Sequence, residues 1–274
     1  MVITSIASLQ CGSALSTRLF DQLGVAGTNF LRTLAGALVL CILARPIPGH
    51  DRTDRLLLLG FGAIVALTSI AFYSAIDRLP LGIAVTVEFS GPLTVAVLAS
   101  RRRLDLAWAA LAAVGVLLLS GALEGGPVDR VGLAFAFVAA GGWAAYILVG
   151  QRVGRRMPEL GAIATSTAVA AIILIPSGIA GASSDMLSPG PLATAVVIGV
   201  LSVVVPISLE VSALRTLPPR VYGILTSLEP ALAALAGLVL LGQHLGARDA
   251  VAICCVVVAS LGAACSLPPV PAEF

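Results

Sequence analysis

Three acidic residues and one arginine lie inside runs apolar enough to cross a bilayer, and any chemistry in this chain starts with them. Glu88 stands in the run 81–100, Glu210 in 192–214, Glu229 in 220–241 and Arg32 in 26–44. Each acid has a proline close by in sequence. Pro92 lacks the N–H that would bond the carbonyl of Glu88 four residues back; Pro230 does the same to Thr226, and Pro206 to Ser202. An acid beside a freed carbonyl is costly inside a membrane unless a cavity or a partner receives it. At the helical rise, Glu88 lies about 10 Å below one membrane face and Arg32 about 9 Å below the same face. Glu229 lies about 13 Å into a core roughly 30 Å thick. Two readings of the Arg32 and Glu88 pair stand side by side. One is a receptor for a zwitterion, with Arg32 at its carboxylate and Glu88 at its amine; the other is a structural ion pair between two helices. Glu88 and Glu229 could also exchange protons, which suits proton-coupled transport. Glu210, about four residues from the end of its run, could reach water at the interface.

The elements that must hold these residues follow from composition. Of 274 residues 58% are hydrophobic and 11% charged, against about 25% charged in soluble domains, and the mean hydropathy is +1.05. This is a membrane protein of several spans. Apolar runs bounded by Arg, Pro or Gly clusters predict ten: 2–20, 26–44, 56–76, 81–100, 105–122, 131–150, 160–180, 192–214, 220–241 and 247–267. The fold class expected is an all-α membrane protein with no inserted soluble domain. The sixteen basic residues are all arginine, a bias read as genomic base composition. Eleven lie in joints after even-numbered spans, including Arg45, Arg101, Arg102, Arg103, Arg152, Arg156, Arg215 and Arg220; four, Arg18, Arg78, Arg130 and Arg248, lie at the other face. The positive-inside rule then puts both termini in the cytoplasm.

The chain also repeats itself. Leu79-Pro80 recurs as Leu217-Pro218 and Pro92 as Pro230, each displaced by 138 positions. Residues 1–125 and 126–274 then form two repeats of five spans, and an odd span number makes the second repeat inverted. Such repeats place a site at their interface near the bilayer midplane. Against span six, span one is short by a turn or two; a misassigned start or a trimmed N-terminus would account for it, and a cleaved signal peptide is not expected because Gln10 and Arg18 interrupt the run.

Other residues carry weaker signals. Tyr146, with Trp143 and Gln151 on the same run, is a candidate cavity residue or an aromatic packing and belt residue; Gln10, Asn29 and Tyr73 are polar groups in or at the ends of apolar runs. The five cysteines have no metal-ligand or Cys-x-x-Cys spacing and are expected as small buried apolar residues. His50 and His244 fall in loops. No phosphate loop can exist without lysine, and no nucleophile elbow or His-Glu-x-x-His occurs, so an enzyme is not expected; an intramembrane enzyme would need clustered polar groups. The Arg101–Arg103 run is a membrane anchor, not a nucleic-acid patch.

The residues Phe72-Tyr73, Leu81-Gly82-Ile83-Ala84-Val85, Glu88-Phe89 with Gly91-Pro92-Leu93, and Ser100-Arg101-Arg102 resemble the threonine/homoserine exporter family. So do Trp143-Ala144 with Tyr146-Ile147, Gly150-Gln151-Arg152, Ser208-Leu209-Glu210, Leu217-Pro218 and Ser227-Leu228-Glu229-Pro230-Ala231-Leu232-Ala233. That family belongs to the EamA-type branch of the drug/metabolite transporter superfamily. The resemblance implies two inverted five-helix repeats in the bacterial inner membrane, exporting small amino acids by proton exchange, with no cofactor. Carried over by position, it points to Glu88, Tyr146, Gln151, Glu210 and Glu229, with Gln10 and Arg32 behind them. Paralogues on one scaffold export different metabolites, so another metabolite or drug is the alternative substrate; a channel is a further class. The partners expected are an amino acid, protons and lipid. A homo-oligomer is left open.

Overall fold

Caps, prolines and small residues set the helix boundaries. The structure, a computed structural model, describes residues 1–99, 103–119, 129–157, 160–181, 184–216, 222 and 225–266. Ser100, Arg101, Arg102, Leu217, Pro218 and Arg220, used above for the repeat, the resemblance and the charge asymmetry, lie outside the described residues. Among the described residues there are helices and no strands. They run α1 (Val2–Thr17), α2 (Phe20–Leu43), α3 (Arg52–Ile76), α4 (Leu81–Glu88), α5 (Ser90–Ala99), α6 (Arg103–Leu119), α7 (Arg130–Arg156) and α8 (Leu160–Ala180). A short 3₁₀ turn, Ser184–Leu187, leads to α9 (Pro189–Gly199), a π turn (Val200–Val204), α10 (Val205–Thr216), α11 (Glu229–Leu241) and α12 (Ala247–Ser266). Six helical stretches are long and apolar enough to cross a membrane; Leu81–Val95, Leu106–Leu118 and Glu229–Leu241 are shorter apolar helices.

Several boundaries differ from those expected. The joint between the first two runs is not a loop. The helix instead continues from Phe20 and turns sharply at Gly24, whose φ of 65° suits a residue without Cβ. The run 81–100 breaks at Phe89, so that Pro92 falls in the first turn of α5. Pro230 likewise lies in the first turn of α11, where a missing N–H costs the helix nothing. Pro206 stands just beyond a π turn in which Val205 bonds five residues back to Val200, and in that register its missing N–H also leaves the carbonyl of Leu201 without a backbone partner. Ser8 Oγ on α1 donates to it at 2.7 Å. The cysteines are corrected too: Cys254 and Cys265 are exposed and the other three half-buried.

Helices α3 and α7 pack along their length in opposite directions. At one end Asp51 caps α3 through the Asp54 N–H at 2.7 Å. Arg156, in the last turn of α7, reaches Asp54 Oδ1 at 2.7 Å and Asp51 Oδ2 at 3.0 Å. At the other end Asp129 caps α7 by accepting from the Val131 and Gly132 N–H groups, and pairs with Arg78 at 3.3 Å. The Gly132 N–H, followed by the Arg78 guanidinium, holds the Asp129 carboxyl below its usual range. Between α3 and α8 a small residue sets the approach: a Cβ at Gly62 would lie 2.6 Å from the Ser166 carbonyl oxygen and 2.7 Å from Val169 Cβ.

The largest buried apolar cluster surrounds α4, where Leu81, Val85 and Val87 meet Tyr73 and Ile76 of α3 and Val256 and Ala259 of α12. Large apolar side chains such as Leu38, Ile42, Ile172 and Val239 point outward, as surfaces in contact with lipid do. What remains at the centre is polar.

Candidate functional site

A central cavity opens between α1, α2, α3, α4, α7, α8, α10 and α11. It is lined by Gln10, Arg32, Tyr73, Glu88, Tyr146, Pro206, Glu210 and Glu229, which lie up to 219 positions apart in the chain. Bundle packing thus brings together nearly all the residues singled out from the sequence. Two side chains lie outside the lining: Asn29, buried beside Arg32, and Gln151, which is exposed on α7. Five residues beyond Tyr146 on one helix, it is rotated by about 140° from that face. Pro92 is half-buried and Pro230 buried, neither in the lining.

Arg32 is held entirely by neutral groups. It is 9% exposed. Its Nη1 donates to Ser202 Oγ at 3.1 Å and its Nη2 to Asn29 Oδ1 at 3.4 Å. The guanidinium carbon sits 4.6 Å from the centroid of the Tyr73 ring, the distance of a cation–π contact. Its Nε is buried without a partner. Among the described residues Arg32 forms no ion pair. The structural ion pair with Glu88 is therefore not formed: the two share a cavity, and Arg32 turns to Ser202 and Tyr73 instead.

The acids sit on other helices. Glu229, in the first turn of α11 and 5% exposed, accepts from Gln10 Nε2 at 3.1 Å. Glu210 Oε1 lies 3.5 Å from Ser5 Oγ, which also reaches the Pro206 carbonyl at 3.3 Å. Glu210 thus faces the cavity rather than the interface alone. Glu88, half-buried at the end of α4, has no side-chain hydrogen bond among the described residues and shares the cavity with Glu210 and Glu229. Carboxylates that share one buried cavity favour a bound cationic group or a proton over full ionisation. Among the described residues no group of three acidic, His or Cys side chains could hold a metal ion.

Aromatic rings shape the rest of the wall. Tyr146 packs on Phe61 with ring centroids 4.8 Å apart, and Trp143 meets Phe89 edge-on at 5.5 Å. Sequence reasoning missed Ser202 as a side chain and the α1 serines. A signal for the serines existed: Ser5, Ser8, Gly12 and Ser16 recur at helical spacing on one face of α1.

A bundle of apolar helices around a buried cavity carrying both signs of charge is the architecture of a membrane transporter. Residues 130–265 match the EamA-like transporter family. Over 264 residues, covering 96% of this chain and 89% of theirs, the chain is 38% identical to the threonine/homoserine exporter RhtA of Salmonella typhimurium strain LT2. It is 36% identical over the same shares to the threonine/homoserine exporter RhtA of Escherichia coli strain K12. A solved crystal structure superposes over 100% of this chain and 98% of its own, with a TM-score of 0.64 at 20% identity, which shows the fold. The chain belongs to the EamA-like transporter family and is a multi-pass membrane transporter, not an enzyme.

Proposed function

We propose that the protein exports small amino acids of the threonine and homoserine type across the bacterial inner membrane in exchange for protons. The observation that carries this reading is the cavity itself. An arginine without an acidic partner faces the carboxylate of a zwitterion, and Glu88, Glu210 and Glu229 supply negative charge for its amine and a place for a proton. The kinship with the two RhtA exporters supports the substrate class. Substrate and proton alternate at these acids as the cavity opens first to one side and then to the other.

The scaffold in this reading is ten spans in two inverted five-helix repeats, 1–125 and 126–274, with both termini cytoplasmic. Two features support the repeat. The break at Phe89 is displaced by 138 positions from Ser227, where helical structure lapses just before α11. The pairing of α3 with α7 also has its counterpart, under exchange of repeats, in the pairing of α1 with the π turn and α10.

The test is efflux from cells preloaded with a dipeptide source of threonine or homoserine, with and without the protein. Faster efflux that collapses when the proton gradient is dissipated supports the reading. The excess of three acids over one arginine favours a second reading, a cationic metabolite. Unchanged amino-acid efflux with the protein present in the membrane, together with efflux of organic cations, would select it.

A further inference from the structure

We propose that Tyr73 and Ser202 are positioning residues that hold Arg32 in the cavity as an uncompensated cation. This rests on the proposed function only in naming the carboxylate as what Arg32 receives; the geometry stands apart from it. A guanidinium buried in a membrane protein normally pairs with an acid, and three acids line this same cavity. Arg32 pairs with none of them; beside the longer bond from its Nη2 to Asn29 Oδ1 at 3.4 Å, a ring and a hydroxyl fix it instead. The Tyr73 ring lies under the guanidinium at 4.6 Å, and its negative face attracts the cation without neutralising it. The ring is itself held: Tyr73 is 1% exposed, its OH bonds Ser16 Oγ at 3.0 Å, and Phe20 and Phe72 pack on it at 6.0 and 5.7 Å.

Ser202 acts from the other side. Its Oγ donates to the Ile198 carbonyl at 2.7 Å, which leaves a lone pair to accept Arg32 Nη1 at 3.1 Å. Ser202 can stand there because it lies in the π turn, whose freed Leu201 carbonyl is taken by Ser8. An acid in place of Ser202 would quench the charge, and an apolar residue would release the side chain. The hydroxyl does neither. Arg32 therefore keeps its charge and a fixed direction for an incoming anion.

The experiment uses the full chain in lipid nanodiscs, labelled with ¹⁵N-arginine. The Arg32 Nε–H resonance is assigned by its loss in Arg32→Gln. A proton fixed over an aromatic ring is displaced upfield of the solvent-exposed arginines. The displacement should persist in Tyr73→Phe, which keeps the ring, and vanish in Tyr73→Leu. In Ser202→Ala the peak should move and broaden as the guanidinium loses its second anchor, while thermal unfolding stays cooperative. If Tyr73→Leu does not fold, the comparison of wild type, Tyr73→Phe and Ser202→Ala still decides. A wild-type peak among the exposed arginines, or one unmoved by Ser202→Ala, overturns the proposal. Adding L-threonine and then L-threoninol, which lacks the carboxylate, separates the two readings. A displaced peak that responds to neither overturns the carboxylate role and leaves the positioning role standing. Where threonine does bind, Ser202→Ala should weaken its binding about tenfold, the weight of one hydrogen bond to a charged group, and leave threoninol unchanged.

Discussion

The hydrogen bond from Gln10 to Glu229 joins α1 to α11 and offers a quantitative test of the cavity's electrostatics. Gln10 Nε2 donates to Glu229 Oε1 at 3.1 Å, with the two residues 2% and 5% exposed. The perturbation is Gln10→Leu, which removes the amide and leaves an apolar side chain one atom shorter. Its single effect mixes two changes of opposite sign. The donor to Glu229 is lost, but Gln10 Oε1, already buried without a partner, goes with it, and removing an unsatisfied acceptor recovers about 1–3 kcal/mol. A cycle with Glu229→Leu cancels that relief, together with any change in repulsion from Glu88 and Glu210. The coupling left is the bond itself. It should be about 1.5–3 kcal/mol if Glu229 accepts as a carboxylate, and about 0.6 kcal/mol if it accepts as a neutral acid, the average for neutral bonds between membrane helices. The assay is unfolding of the purified protein in mixed micelles titrated with denaturing detergent, followed by circular dichroism for all four variants. A coupling within about 0.3 kcal/mol of zero, the ordinary scatter of independent sites, would refute the argument that this bond ties α1 to α11.

Three further outcomes follow from the same structure. Glu88→Gln should abolish proton-coupled efflux while the protein still reaches the membrane; full efflux with an unchanged pH profile would remove Glu88 from the coupling. Gly62→Ala should cost about 1–3 kcal/mol in the same unfolding assay, because the new Cβ meets the Ser166 backbone at 2.6 Å, and an unchanged midpoint would show that α3 and α8 can separate without loss. Arg156→Gln should destabilise more than Asp51→Asn, since only the former leaves the buried Asp54 carboxylate without its cation; equal midpoints for the two variants would contradict that ranking.

That Arg32 and Glu88 face the interior was legible in the sequence, and azimuth was not. Charges inside apolar runs turn toward a cavity or a partner, and both residues line one cavity. The direction in which a side chain leaves its helix depends on packing, and there counting failed. It grouped Gln151 with Tyr146, whereas the helix turns Gln151 outward. It read Arg32 and Glu88 as a possible pair because charge and depth matched, whereas Arg32 turns to a ring and a hydroxyl that no charge pattern reveals. Proline was half legible. A missing N–H announces a free carbonyl, but which carbonyls it reaches depends on the local register, and the π turn adds that of Leu201, five residues back. The donor that answers it, Ser8, lies on a helix 193 positions away.

The electrostatics explain why such a cavity is left unneutralised in a chain otherwise so apolar. If Arg32 paired with one of the three acids, the pair would lose much of its attraction for a zwitterion, since each end of the substrate would first have to break it. Two buried opposite charges a few ångströms apart attract strongly, and separating them would consume the energy that binding releases. Neutral anchors avoid this contest. The ring of Tyr73 and the hydroxyl of Ser202 stabilise the cation by ordinary contacts and leave its field directed into the cavity. The acids too lack charged partners: Glu229 is held by an amide, Glu210 by a hydroxyl, and Glu88 by no side-chain hydrogen bond among the described residues. In the proposed exchange, an entering amine or proton relieves the repulsion among them. Exclusion of one by the other at the same carboxylates is the physical requirement for exchange, and Glu88 has the fewest local bonds to give up when its occupant changes.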